Sequence, residues 1–94
     1  MNISAHTLRS VFAQVEGALK DHPYALEVLA DYREDADAGR LTLDRLRGFL
    51  QGLSAGGVLP YEDYCEADAK FFADEDSPIR RASLIEAEAA RPRK

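Results

Sequence analysis

The chain has 94 residues, 46% of them hydrophobic and 31% charged, with a formal net charge of −5. That length is one domain, and that hydrophobic content belongs to a folded rather than a disordered chain. The negative balance argues against direct nucleic-acid binding, which depends on neutralising phosphates, and no apolar run approaches the ~20 residues of a membrane span.

The segment Met1–His6 has neither the charged start nor the apolar stretch of a secretory leader. Cys65 is the one cysteine and has no internal disulfide partner. Both features lead to the expectation of a reducing, cytoplasmic setting. A chain of this size buries only about 60–65% of the surface its unfolded form exposes. It therefore needs well-packed helices, an oligomer or a partner.

Helical periodicity recurs along the chain, bounded by helix punctuation, and no strand-length alternation appears. A first helix is predicted from about Ser4 to Lys20, with Leu8, Val11, Phe12, Val15 and Leu19 on one stripe. Pro23 opens a second, capped by Asp21 or His22 and running to about Ala38, with Gly39 as the residue that ends it. Ala25, Leu26, Val28, Leu29, Tyr32 and Arg33 lie on its packing side.

The third start is the clearest local signal. Thr42 is a cap, and Leu41 and Leu46 occupy the two positions of a hydrophobic staple. Leu43, Leu46, Leu50 and Leu53 then form the apolar seam, and Gly56-Gly57 closes the helix. Pro60 opens a fourth, for which Tyr61, Tyr64, Cys65, Phe71 and Phe72 are expected to supply the apolar face. Ser77-Pro78 predicts a fifth, with Ile79, Ala82, Ile85 and Ala89 inward. The expected architecture is an all-α, compact bundle of four to five short helices over residues 1–90, followed by a basic tail at 91–94.

No constellation carries recognisable catalytic or metal chemistry, and no cofactor is expected. The acidic run around Gly39 fails as a calcium loop. With Gly39 at the sixth position, the third and fifth are Ala36 and Ala38 and the twelfth is Arg45, where oxygen ligands are required. His6 and His22 are too isolated to form a zinc pair, and Cys65 sits beside Glu66, which opposes thiolate formation. Gly56-Gly57 lacks the lysine and hydroxyl residue of a phosphate loop. A helix-turn-helix reading places Arg40, Arg45 and Arg47 on or near a recognition helix, but the preceding helix is acidic and no Asn or Gln stands ready to read bases at its start.

Two features remain. Charge is unevenly spread: residues 21–40 carry six acids against two bases, and residues 61–76 seven against one. Asp31, Glu34, Asp35 and Asp37 crowd the end of the second helix, where negative charge opposes the macrodipole. Glu62, Asp63, Glu66 and Asp68 lie on the fourth. These eight residues are the expected partner-binding set, a carboxylate array for a basic surface on another protein. Separately, Gly48, Gly52 and Gly56 repeat at i, i+4 and i+8 in the third helix, as they do where another backbone approaches closely. Gly48 and Gly52 with Tyr61, Tyr64 and Phe72 form the expected packing or interface set, through which the chain would make a homodimer or a scaffold.

The stretch Gly57-Val58-Leu59-Pro60-Tyr61-Glu62-Asp63-Tyr64, with Leu50-Gln51-Gly52-Leu53 before it, resembles the hairpins of small bacterial helical proteins. In size, acidity and simplicity the chain is similar to phage or mobile-element inhibitors, including anti-CRISPR and toxin-immunity proteins. That likeness implies a non-catalytic antagonist of a partner protein.

Overall fold

The computed structural model describes residues 3–74. The predicted fifth helix and the basic tail at 91–94 lie outside the described residues. The described chain is all-α, with four helices: α1 (Ala5–Ala18), α2 (Pro23–Asp37), α3 (Leu43–Ala55) and α4 (Tyr61–Ala73).

Local chemistry sets each boundary. Ser4 caps α1, its hydroxyl oxygen accepting from the Thr7 amide at 3.2 Å. Thr42 caps α3 in the same way, accepting from the Arg45 amide at 3.2 Å. The flanking Leu41 and Leu46 are both buried, as the staple requires. α2 starts with Pro23 at its first position; His22 is its N-cap residue but makes no side-chain capping hydrogen bond. Both α2 and α3 end in the same closed motif. At Gly39 (φ 73°) and Gly57 (φ 77°) the backbone turns left-handed. The next amides, of Arg40 and Val58, reach back to the Asp35 and Leu53 carbonyls at 2.8 and 2.9 Å. A side chain at either glycine would be strained by that φ.

α1 and α4 form the most extensive helix pair. α1 also packs against α2, while α3 packs against α4. Val11, Phe12, Val15 and the following Leu19 are buried along one stripe, facing Leu29 from α2, Leu46 and Leu50 from α3, and Phe71 from α4. Ile3, Leu41 and Leu59 close the core from the connecting segments.

The inward face of α4 differs from the expectation. Its fully buried residues are Ala67 and Phe71, with Tyr64 packed against them at i−3. Tyr61 and Phe72 are exposed, at 71% and 38%, and Cys65 is exposed as well. A helix has one inward stripe. Spacing by three and four selects Tyr64, Ala67 and Phe71, leaving Tyr61, Cys65 and Phe72 outside it.

Candidate protein-binding surface

The eight acids expected to meet a partner divide into two groups once placed in the fold. Asp35 is half-buried at the end of α2, between Arg40 (Nη2 to Oδ1, 3.2 Å) and Arg45 (Nη1 to Oδ2, 3.0 Å). Asp68 on α4 accepts a two-pronged hydrogen bond from Arg47 on α3, 2.8 Å from Nε and 3.1 Å from Nη2. That bond holds the Arg47 guanidinium pKa above its ordinary value. Asp63 and Glu66 both accept from Gln14 Nε2 on α1, at 3.4 and 2.7 Å. These four carboxylates hold helices together.

The other four, Asp31, Glu34, Asp37 and Glu62, are exposed and have no ion pair or hydrogen bond among the described residues. Three belong to α2. Glu27 joins them, equally exposed and one turn before Asp31. Glu27, Asp31 and Glu34 stand at i, i+4 and i+7, so the outer face of α2 carries a row of uncompensated carboxylates. The two acidic helices both pack on α1 rather than on each other. The expected single array is therefore an α2 face, with Glu62 standing apart on α4.

Every arginine on which a recognition-helix reading relied is engaged. Arg40 and Arg45 share Asp35, and Arg47 is clamped by Asp68. Arg45 also lies over the Tyr32 ring, 4.9 Å from its centroid, and Arg47 over Phe72 at 5.6 Å.

The interface set lands mostly outside. A methyl group built on Gly48 or Gly52 would meet nothing within 4 Å, so neither glycine is needed for packing among the described residues. Each still costs about 1 kcal/mol of helix propensity against alanine. Tyr64 is half-buried against the core. Tyr61 leans on it at 6.2 Å between ring centroids, and its phenol pKa is raised chiefly by a hydrogen bond with Cys65.

One surface feature had no counterpart in the sequence reading. α2 and α3 meet where Tyr32 stacks on Phe49, ring centroids 4.3 Å apart. Toward the α1–α2 turn they leave an open apolar groove of about 540 Å³, lined by Tyr24, Val28, Phe49, Leu53 and Val58, with Asp21 at its end. Tyr24 is 78% exposed at its edge. The signal was available: Tyr24 and Val28 are i, i+4 on α2, and Phe49 and Leu53 are i, i+4 on α3. These pairs flank, rather than form, the two buried stripes.

Among the described residues no group of three or more His, Cys, Asp or Glu side chains is placed to hold a metal ion, and no helix is long and apolar enough to cross a membrane. No family model matches this chain, and neither a curated protein nor a solved structure shows a significant likeness to it.

The division of the acids changes what charge reversal does. From the sequence, Asp35→Lys is expected to be harmless or favourable, because an acid there opposes the α2 dipole. In the structure it removes the shared partner of Arg40 and Arg45 and places a third cation beside them. Asp35→Lys is therefore expected to destabilise the fold by about 1 kcal/mol, since exposed pairs are weak but three like charges repel. Glu34→Lys, one residue earlier and without a partner, is expected to leave the melting temperature unchanged or raise it. Thermal melts of the two variants side by side check the contrast; equal behaviour refutes it.

Proposed function

We propose that the chain is a non-catalytic binding protein, an inhibitor or antagonist working in the cytoplasm, that meets a basic surface of a partner protein with the outer face of α2. The observation that carries this reading is the row Glu27, Asp31 and Glu34. It is exposed and lacks internal counter-charges among the described residues, whereas Glu16, Asp35 and Asp68 are each paired with an arginine. Acids that stabilise nothing inside the molecule, one of them (Glu34) in the last turn of a helix where the macrodipole opposes it, are consistent with selection for an external contact.

Reversal of the row tests it. The full chain and a Glu27→Lys/Asp31→Lys/Glu34→Lys variant are immobilised, and proteins retained from the native host at low ionic strength are identified. The wild type is expected to retain a basic partner that elutes as salt passes ~0.15 M. The variant, with an unchanged melting temperature, is expected to bind that partner at least tenfold more weakly, about 1.4 kcal/mol. Identical retention by the two proteins sinks the reading.

A homodimer or scaffold function is the second reading, favoured by the open Gly48 and Gly52 surface and by exposed Phe72 and Tyr61. It predicts that the acid reversals are silent and that Gly52→Leu is disruptive.

A further inference from the structure

The groove between α2 and α3 is built unequally. Its floor is apolar: Val28, Phe49, Leu53 and Val58. On the α2 side Asp21 and His22 are the polar members of the lining, and Glu27 and Asp31 are exposed on the same helix outside it. On the α3 side the helix surface next to Phe49 and Leu53 is Gly48, Gly52 and Gly56, at i−1, i+3 and i+7 of Phe49. These glycines lie beside the groove's lining rather than in it, and a methyl group on Gly48 or Gly52 would touch nothing within 4 Å. From Tyr24 to Val28 the lining follows about one turn of α2, roughly 6 Å.

We infer that this groove seats one amphipathic helix of the partner protein, with its apolar stripe on Val28, Phe49 and Leu53, a basic flank along Glu27 and Asp31, and its backbone close against the glycines of α3. The inference rests on the reading of the chain as an acidic protein-binding module and adds where, and in what form, the partner binds. The floor requires aliphatic or aromatic side chains at i, i+4 spacing. The exposed acids of α2 require lysine or arginine on the side facing that helix. The glycines beside the groove let the backbone of a second helix come nearer than any side chain would allow. A second copy of this chain fits worse. Each copy carries a net charge of −5, and the α3 rim offers no cation for another copy's acids, because Arg45 is already held by Asp35.

The test uses the full chain and two synthetic 16-residue helical peptides with identical leucines at i, i+4 and i+7. One carries lysines along one flank, the other glutamates in their place. Fluorescence anisotropy is expected to show binding of the lysine peptide, at least tenfold weaker binding of the glutamate peptide, and weakening of the lysine complex as salt rises. Gly52→Leu adds a side chain beside the groove at a position where a Cβ meets nothing within 4 Å. It is expected to keep or raise the melting temperature and to weaken the lysine peptide at least tenfold, as is Val28→Asp. Equal affinity for the two peptides, no binding of either, or binding indifferent to Gly52→Leu overturns the inference. So does a concentration-dependent doubling of mass in sedimentation that Gly52→Leu abolishes, which gives the groove to a second copy. Tighter peptide binding by a full-length Ile85→Asp variant overturns it too, because the groove then belongs to the chain's own C-terminal residues. Failure here is distinct from failure of the acidic-module reading. If Gly52→Leu leaves peptide and native partner bound while the Glu27, Asp31 and Glu34 reversals release the partner, the groove is refuted and the α2 face stands.

Discussion

Phe71→Ala is expected to lower stability by about 3–5 kcal/mol, the range for truncating a buried aromatic side chain. Phe71 is wholly buried near the C-terminal end of α4 and is the largest fully enclosed side chain of the core. It belongs to the same cluster as Val11 and Val15 on α1, so the truncation leaves a void in the most extensive helix pair of the bundle, α1 with α4. Collapse into that void is limited, because Ala67 one turn earlier has no side-chain length to move into it. For a domain of this size, each kcal/mol shifts the melting temperature by about 4–8 °C, so a fall of roughly 15 °C or more is expected. Set against a typical stability of about 5–15 kcal/mol, the variant keeps a marginal fold at best. Phe72→Ala, one residue on and only 38% exposed beneath Arg47, is expected to cost about 1 kcal/mol, well below Phe71→Ala. Thermal melts followed by circular dichroism check both. Similar losses at 71 and 72, or a fall of only a few degrees for Phe71→Ala, refute the assignment of the inward face.

That pair of neighbours also marks where the sequence was readable. Boundaries were legible wherever a few consecutive residues carry the reason. Thr42 with its flanking leucines, Pro23, Gly39 and Gly57 each act within one turn of their own position, and the helices begin and end there. The inward stripe of α1 was legible because its apolar residues fall on one face; on α3 Leu43, Leu46 and Leu50 turn inward, while Leu53, expected in the same seam, lies beside them in the groove. On α4 Tyr61, Tyr64, Cys65, Phe71 and Phe72 were read as one face, of which only Tyr64 and Phe71 turn inward, with Ala67 between them. Weighing aromatic content found Tyr64 and Phe71 but also took in Tyr61 and Phe72, which the fold leaves outside, and passed over the buried Ala67. Carboxylates were harder still. Asp68 and Arg47 are 21 positions apart, and Gln14 and Glu66 are 52 apart. Nothing local separates them from Asp31 or Glu27, which pair with no described residue. An acid's role depends on which cation or amide the tertiary fold brings to it, so the sequence yields the count of acids but not the subset left for a partner. The groove was hidden for a related reason, since it consists of residues that helix periodicity places beside the buried stripes rather than in them.

Asp74→Ala is expected to cost about 2–3 kcal/mol, more than the loss of any surface acid. An acid just past the C-terminus of α4 faces the negative end of that helix's dipole, and read alone it is misplaced. The fold gives it another helix to serve. α1 and α4 run antiparallel, so Asp74 arrives at the N-terminus of α1, where the dipole favours negative charge. Its Oδ2 accepts from the Ser4 amide at 3.1 Å, from the Ser4 hydroxyl at 2.9 Å and from the Thr7 hydroxyl at 2.6 Å. Asp74 itself is buried. Hydrogen bonds to a charged acceptor contribute about 1.5–3 kcal/mol each when tested singly, and they are not additive when they share one oxygen. Removal of the carboxylate leaves the Ser4 amide, one of the four donors that no helix can satisfy internally, without that acceptor. It also unties the first turn of α1 from the last turn of α4. Asp74→Asn keeps an acceptor oxygen but not the charge, and is expected to lose about half as much. Three measurements separate this role from a general loss of packing. Amide hydrogen exchange in the first turn of α1 should speed up more than exchange at Leu46 or Leu50. Ser4→Ala combined with Asp74→Ala should cost less than the sum of the two single changes, because both break the same bonds. The α2 acid reversals, 40 or more positions away in sequence, should add to Asp74→Ala without coupling. If the Ser4 and Asp74 losses instead add in full, Asp74 is not acting through the start of α1, and its burial has some other cause.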